Sequence, residues 1–266
     1  MKTFLRPLCV PPGLRLAAMA AFIIISSAST RAAFMGSDNA GNYGNAWAGN
    51  GGTGFGDWSF SNTSGNGSQN GSFLATSSGN SDLSIATSGK GWGLYANSGQ
   101  TANAIRTLTG GNLVAGQSFS LRMDNGNVNS GGSVGFSLRN SAQQNRFEFY
   151  FVGGQNNYKI NINGTETDTG VGFTSGGLNL IFTQNGANGY TFSINGSTPL
   201  TGALSASDIS EIRFFDFNSG GGNNVYFNDL AVVPEPTNIA LGIFGAVGGL
   251  GGLVRWGARK KSRVQN

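Results

Sequence analysis

The chain has 266 residues, of which 45 are glycine and only 11% are charged, while 38% are apolar and 19 are phenylalanine. That supplies the bulk for a core in one or two domains and argues against a chain disordered throughout. It has no histidine and one cysteine, Cys9, so the commonest general base and metal ligand is missing and no disulfide can form within the chain. The net charge of +4 sits at the two ends: between residues 34 and 233, seven basic side chains stand against eleven acidic ones, a balance of −4, which excludes the basic face that nucleic-acid binding needs.

Residues 1–33 have the pattern of a secretory signal. Lys2, Arg6 and Arg15 form a basic start, 16–25 an apolar helix, and Ser26-Ser27-Ala28 a cleavage pattern, with Thr30-Arg31-Ala32 the poorer alternative. The apolar stretch is shorter than the ~20 residues that span a bilayer. Cys9 precedes it, so a lipoprotein signal does not fit, and cleavage leaves a mature protein without a thiol.

Residues 34–72 form a glycine- and asparagine-rich lead-in. It carries Tyr43, Trp47, Phe55, Trp58 and Phe60, which are expected to anchor it across the domain that follows, before a polar loop over 62–71.

Residues 73–233 alternate apolar and polar positions with a period of two. Phe119, Leu121 and Met123 do so, as do Val134, Phe136 and Leu138, then Phe147, Phe149 and Phe151. Tyr158-Ile160-Ile162, Leu178-Leu180-Phe182, Tyr190-Phe192-Ile194, Ile212-Phe214 and Val225-Phe227 continue it. This is the signature of antiparallel strands with one buried face. Asn163-Gly164, Asn185-Gly186, Asn188-Gly189 and Asn195-Gly196 supply hairpin turns, and 204–210 is expected to make one helical turn. The pattern predicts an all-β fold, an antiparallel jelly-roll sandwich of roughly 10–12 strands. The order of strands, ending in 211–217, a glycine turn and 225–230 as a closing pair, resembles concanavalin-like lectin and laminin-G-type sandwiches.

The last segment, 234–266, has three parts. Pro234-Glu235-Pro236 cannot join a helix or a central strand, so it reads as an extended, accessible stretch. An apolar stretch at about 237–254 is near the lower limit for a transmembrane helix. Arg255, Arg259, Lys260, Lys261 and Arg263 follow and set the topology, with the large domain outside the cytoplasm. This ordered triple resembles the PEP-CTERM sorting signal of Gram-negative bacteria, and the lead-in looks like the start of secreted proteins that carry it. The resemblance covers the last 33 residues or so. It implies recognition by an exosortase, a membrane cysteine transpeptidase, after passage through the secretion machinery. It further implies a membrane association that is transient, through the C-terminal helix, and a final place at the cell surface or in an exopolysaccharide or biofilm matrix.

Candidate chemistry between the two ends is sparse. Glu148 is alone on its strand, Glu166 and Asp168 are placed in a turn, and Asp216 and Asp229 lie on neighbouring predicted strands. No Glu-x-Asp-x-x-Glu string of one concanavalin-like glycosidase family occurs, so an enzyme is not expected. Asp124, Asn125, Asn127 and Asn129 offer oxygen ligands in one short loop, a candidate structural calcium site; no other cofactor is implied. Trp47, Trp58, Trp92 and Tyr95, with Tyr150, are candidates for stacking on sugar rings, although core packing competes for every large aromatic side chain here. The reading is a non-enzymatic exported surface or matrix protein; the alternatives are a lectin-like module with a defined glycan and, third, a glycan-active enzyme.

Overall fold

The computed structural model describes residues 35–62, 69–79 and 83–234. The readings on 1–33, on Glu235 and Pro236, on the 237–254 helix and on Arg255, Arg259, Lys260, Lys261 and Arg263 lie outside the described residues. Among the described residues no helix is long and apolar enough to cross a membrane.

The domain is an all-β antiparallel jelly-roll sandwich of two sheets. The first sheet contains β1 (Gly36–Asp38), β3 (Asn70–Thr76), β4 (Lys90–Ala96), β6 (Gln117–Asn125), β11 (Leu178–Asn185), β12 (Gly189–Ile194), β13 (Leu200–Ala203) and β15 (Val225–Pro234). Its order is β13-β12-β11-β6-β15-β4-β3, with β1 also paired to β15. The second contains β2 (Ser59–Asn62), β5 (Thr101–Thr107), β7 (Ser133–Arg139), β8 (Asn145–Val152), β9 (Asn157–Ile162), β10 (Thr165–Gly172) and β14 (Glu211–Phe217), in the order β10-β9-β8-β7-β14-β5-β2.

The fifteen strands exceed the expected 10–12 because β1, β2, β10 and β13 are short or mostly exposed and carry no apolar alternation to read. The expected closing pair is also different. β14 and β15 lie in opposite sheets, joined through the core where Phe214 stacks on Phe227 with ring centres 3.9 Å apart.

The alternating residues meet between the sheets. Phe119 of β6 faces Phe136 of β7 at 6.1 Å, and Phe147 of β8 lies 5.0 Å from Phe182 and 4.8 Å from Phe192. Large rings suit a glycine-rich chain, since each buries on the order of 150–250 Å² where aliphatic side chains are few. Asn163 and Gly164, both at positive φ (55° and 82°), make the two-residue turn that joins β9 to β10.

Residues 36–62 belong to the sandwich itself. β1 pairs with β15 and β2 with β5, and Tyr43, Trp47, Phe55 and Trp58 are buried in the main core. Trp58 packs against Trp47 (4.9 Å), Trp92 (5.3 Å) and Phe214 (5.5 Å). A fully buried ion pair, Asp38 of β1 with Arg106 of β5, bridges the two sheets. The Arg106 guanidinium lies 4.9 Å from the ring centres of both Phe55 and Trp58, its Nε donates to the Gly56 carbonyl (2.7 Å), and it also reaches the Asn50 side chain.

The expected helical turn at 204–210 is an irregular loop instead. Arg146 of β8 grips Asp208 through two bonds, Nε to Oδ1 (2.6 Å) and Nη2 to Oδ2 (2.8 Å), and the loop backbone bonds to Leu113 and Arg139, so its polar groups are satisfied without a helix.

Candidate functional site

On the strands of the second sheet, the residues that alternate with the core set point outward. Their register builds two polar rows. One row runs Glu166, Asn161, Glu148, Ser137, Arg213 across β10, β9, β8, β7 and β14. The next runs Lys159, Tyr150, Gly135, Phe215, Asn103 across β9, β8, β7, β14 and β5. Between Tyr150 and Phe215 the sheet must lie flat. A Cβ on Gly135 would stand 2.1 Å from the Phe149 carbonyl oxygen, so only glycine fits there.

These residues line an open cleft of about 380 Å³, with Phe217 of β14, 38% exposed, at one end. A larger hollow on the first sheet, about 540 Å³, lies over Ser120, Asn179, Ile181 and the Arg122–Asp229 pair and holds no aromatic side chain. The cleft on the second sheet combines rings, amides and charges and is the better candidate.

Its charges are internally matched. Arg213 Nη2 donates to Glu148 Oε1 (2.8 Å) and to Ser137 Oγ (2.9 Å), and Glu148 Oε1 also accepts from Ser137 Oγ (3.0 Å) and Asn145 Nδ2 (2.9 Å). The Arg213 guanidinium lies 4.8 Å from the ring centre of Phe215. Glu166 accepts from the Tyr150 hydroxyl and, at 3.1 Å, from Lys159 Nζ; these two bonds hold its carboxyl below the ordinary carboxylate range. Burial, then the hydrogen bond to Glu166 and the negative charges of Glu166 and Glu148, push the Tyr150 hydroxyl well above the usual phenol range. Burial lowers the Arg213 guanidinium against the pull of Glu148.

Glu148 and Glu166 each pair with Asn161 from opposite sides, which sets their Cα atoms two strand spacings apart, about 10 Å. That places two carboxylates on one face, as a glycosidase needs, but the chemistry also requires one of them to hold a proton. Glu166 is pulled the other way, and Glu148 is occupied by three donors. The arrangement suits contact with a hydroxyl-rich ligand better than bond cleavage.

The residues expected to stack on sugars fall elsewhere. Trp47, Trp58 and Trp92 are 5%, 6% and 0% exposed and packed in the core, where no glycan can reach their faces. Tyr95 is half-buried on the first sheet, 6.2 Å from Phe73 and lying over Gly71. Of the aromatic candidates, Tyr150 alone lines the cleft.

The calcium candidates have separate partners. Asp124 Oδ2 accepts from the Ser84 amide (2.6 Å), Asn125 Oδ1 from the Tyr158 hydroxyl (2.8 Å), and Asn129 Oδ1 from Asn223 Nδ2 (3.5 Å), while Asn127 is exposed. Among the described residues no group of three or more His, Cys, Asp or Glu side chains is placed to hold a metal. Asp216 and Asp229 do not face each other: Asp216 of β14 points into the core, and Asp229 sits in a bulge of β15 in the other sheet.

Sequence reasoning missed Arg213, Phe215, Phe217, Asn103 and Asn161, and it placed Glu166 in a turn instead of on β10. The alternation along 211–217 marks Arg213, Phe215 and Phe217 as one face, but only the cross-strand register brings Asn103 and Asn161 to it.

No family model matches the chain, and no curated protein matches it. Solved β-sandwich structures do. The globular domain of T. cruzi calreticulin is 10% identical over 77% of this chain and 95% of its own, with a TM-score of 0.48. A Bacillus licheniformis β-glucanase is 14% identical over 72% and 99%, with a TM-score of 0.45. The Caenorhabditis elegans galectin LEC-6 is 15% identical over 45% and 83%, with a TM-score of 0.35. The likeness is one of sandwich architecture.

Proposed function

We propose that the chain is a non-enzymatic exported protein of the cell surface or extracellular matrix, sorted by an exosortase through its C-terminal signal and associated with exopolysaccharide through its sandwich. The observation that carries the non-enzymatic contact is the cleft on the second sheet: open, amide- and ring-lined, with Glu148 tied to Arg213 and Glu166 to Lys159. A glycan-cleaving enzyme would need a carboxyl kept protonated there.

The sorting part is supported by the order Pro234-Glu235-Pro236, apolar stretch and basic end in the sequence. It is also supported by where the fold delivers that signal. β15 runs to Pro234, so the motif starts where the last strand ends. β1 begins at Gly36 opposite Val232, so the chain enters and leaves the sandwich side by side. Both membrane-directed segments would then join the domain at one pole.

The test is retention of the exported protein on insoluble exopolysaccharide from its own producer, with reducing ends assayed in the eluate. Retention without new reducing ends is expected. Absence of retention would remove the matrix contact, and release of sugar ends would make the protein an enzyme.

A further inference from the structure

Resting on the reading that the sandwich contacts matrix polysaccharide, we infer that the cleft on the second sheet takes an extended, uncharged polyhydroxylated chain, a neutral linear glycan lying across the strands. Three observations specify this class.

First, three side chains of the cleft have a buried polar atom without a hydrogen-bond partner among the described residues: Asn161 Oδ1, Asn103 Oδ1 and Arg213 Nε. Two are acceptors and one is a donor. A ligand that satisfies all three must both donate and accept. Hydroxyl groups do both, whereas carboxylate, sulfate and phosphate groups only accept.

Second, the cations of the cleft are engaged. Arg213 is bound to Glu148 and Lys159 to Glu166, and Asp168 stands beside Lys159 on β10. The balance of these groups is negative, so a polyanionic chain meets repulsion without an available cation to answer it.

Third, the three atoms belong to residues spread across the sheet. Asn161 is on β9, Arg213 on β14 and Asn103 on β5, which is four strand spacings from end to end, about 19 Å. A monosaccharide is far shorter, so the ligand is oligomeric. Phe217, exposed at the end of the same face, supplies an apolar surface for a sugar ring.

The experiment uses the full-length chain in detergent and measures binding by calorimetry to hexasaccharides of β-1,3-glucan, β-1,4-glucan and β-1,4-mannan, with hexameric alginate and glucose as contrasts. Asn161→Ala removes an acceptor and Phe217→Ala an exposed ring, and the melting temperature of each variant is compared with that of the parent. The expected result is binding of at least one neutral hexamer, about tenfold or more over alginate and over glucose. Each variant should weaken it about tenfold with the melting temperature unchanged. Preference for alginate, or equal binding of glucose, would overturn the ligand class while leaving the matrix reading intact. Neutral binding insensitive to both variants would overturn the location. If all the hexamers fail to bind, the inference falls, and retention on the producer's own polysaccharide then decides separately whether the matrix reading falls with it.

Discussion

Asp216 follows Ile212 and Phe214 on the inward side of β14, a carboxyl with no exposed surface whose protein partners are the Ser219 amide (3.2 Å) and hydroxyl (2.8 Å). Burial pushes its pKa up to about 7, against the two bonds from Ser219 that pull it down. The folded state therefore holds a proton that the unfolded chain gives up near pH 4, so stability falls as pH rises from about 4 to about 7 and then levels. A shift of this size corresponds to about 4 kcal/mol. Asp208 acts in the opposite direction: Arg146, then Asn140, hold it at about 2, so its contribution is present above pH 4 and lost as pH drops toward 2. Thermal unfolding should be most resistant near pH 4–5. Asp216→Asn should raise the melting temperature at pH 8 by several degrees and leave it nearly unchanged at pH 4; equal shifts at both pH values would refute the assignment. At Gly135, replacement by alanine drives a Cβ into the Phe149 carbonyl and should cost about 1–3 kcal/mol in a urea titration. Alternation makes the inward position of Asp216 legible in the sequence, because Ile212 and Phe214 share its face. The need for glycine at 135 is not legible, because it depends on how close β8 lies.

At the scale of elements, the lead-in shows what a period-two reading leaves out. Its aromatics were readable as anchors, and Tyr43, Trp47, Phe55 and Trp58 are in the core. Its strands were not, because three residues of β1 and four of β2 are too few to set a period. Nor was the partner of Arg106, which follows from β1 and β5 approaching from opposite sheets. Tyr43 donates to Asp38 (2.6 Å) and accepts from Trp58 Nε1 (2.9 Å); burial, then the bond to Asp38, push its hydroxyl up to about 12. Arg106→Ala strands Asp38 in the core and should cost about 3–5 kcal/mol, whereas Arg106→Met with Asp38→Leu should cost less than the single change. Denaturant titration of the two variants checks this. If the double variant is as unstable as the single one, the cost lies in lost packing and not in the stranded charge.

At the scale of the whole molecule, the sandwich ends where the tail begins. Val232 is fully buried and pairs with Gly36 and Phe119, and Pro234 pairs with Gln117, so β15 is complete before Glu235. A cut close to Pro236 should leave the melting temperature of the domain unchanged, whereas ending the chain at Ala231 removes these pairings and should lower it by several degrees, as a thermal scan of the two forms would show. Fold class was legible because alternation and turn residues recur through 73–233; the cleft was not, because its members come from strands far apart in sequence. The account as a whole rests on sorting, and the most direct measurement is the mass of the C-terminal peptide of the protein recovered from its own cells. A new end close to Pro236, with or without an added group, is the predicted result. An intact end at Asn266 would contradict exosortase processing and make the protein a plain membrane-anchored sandwich.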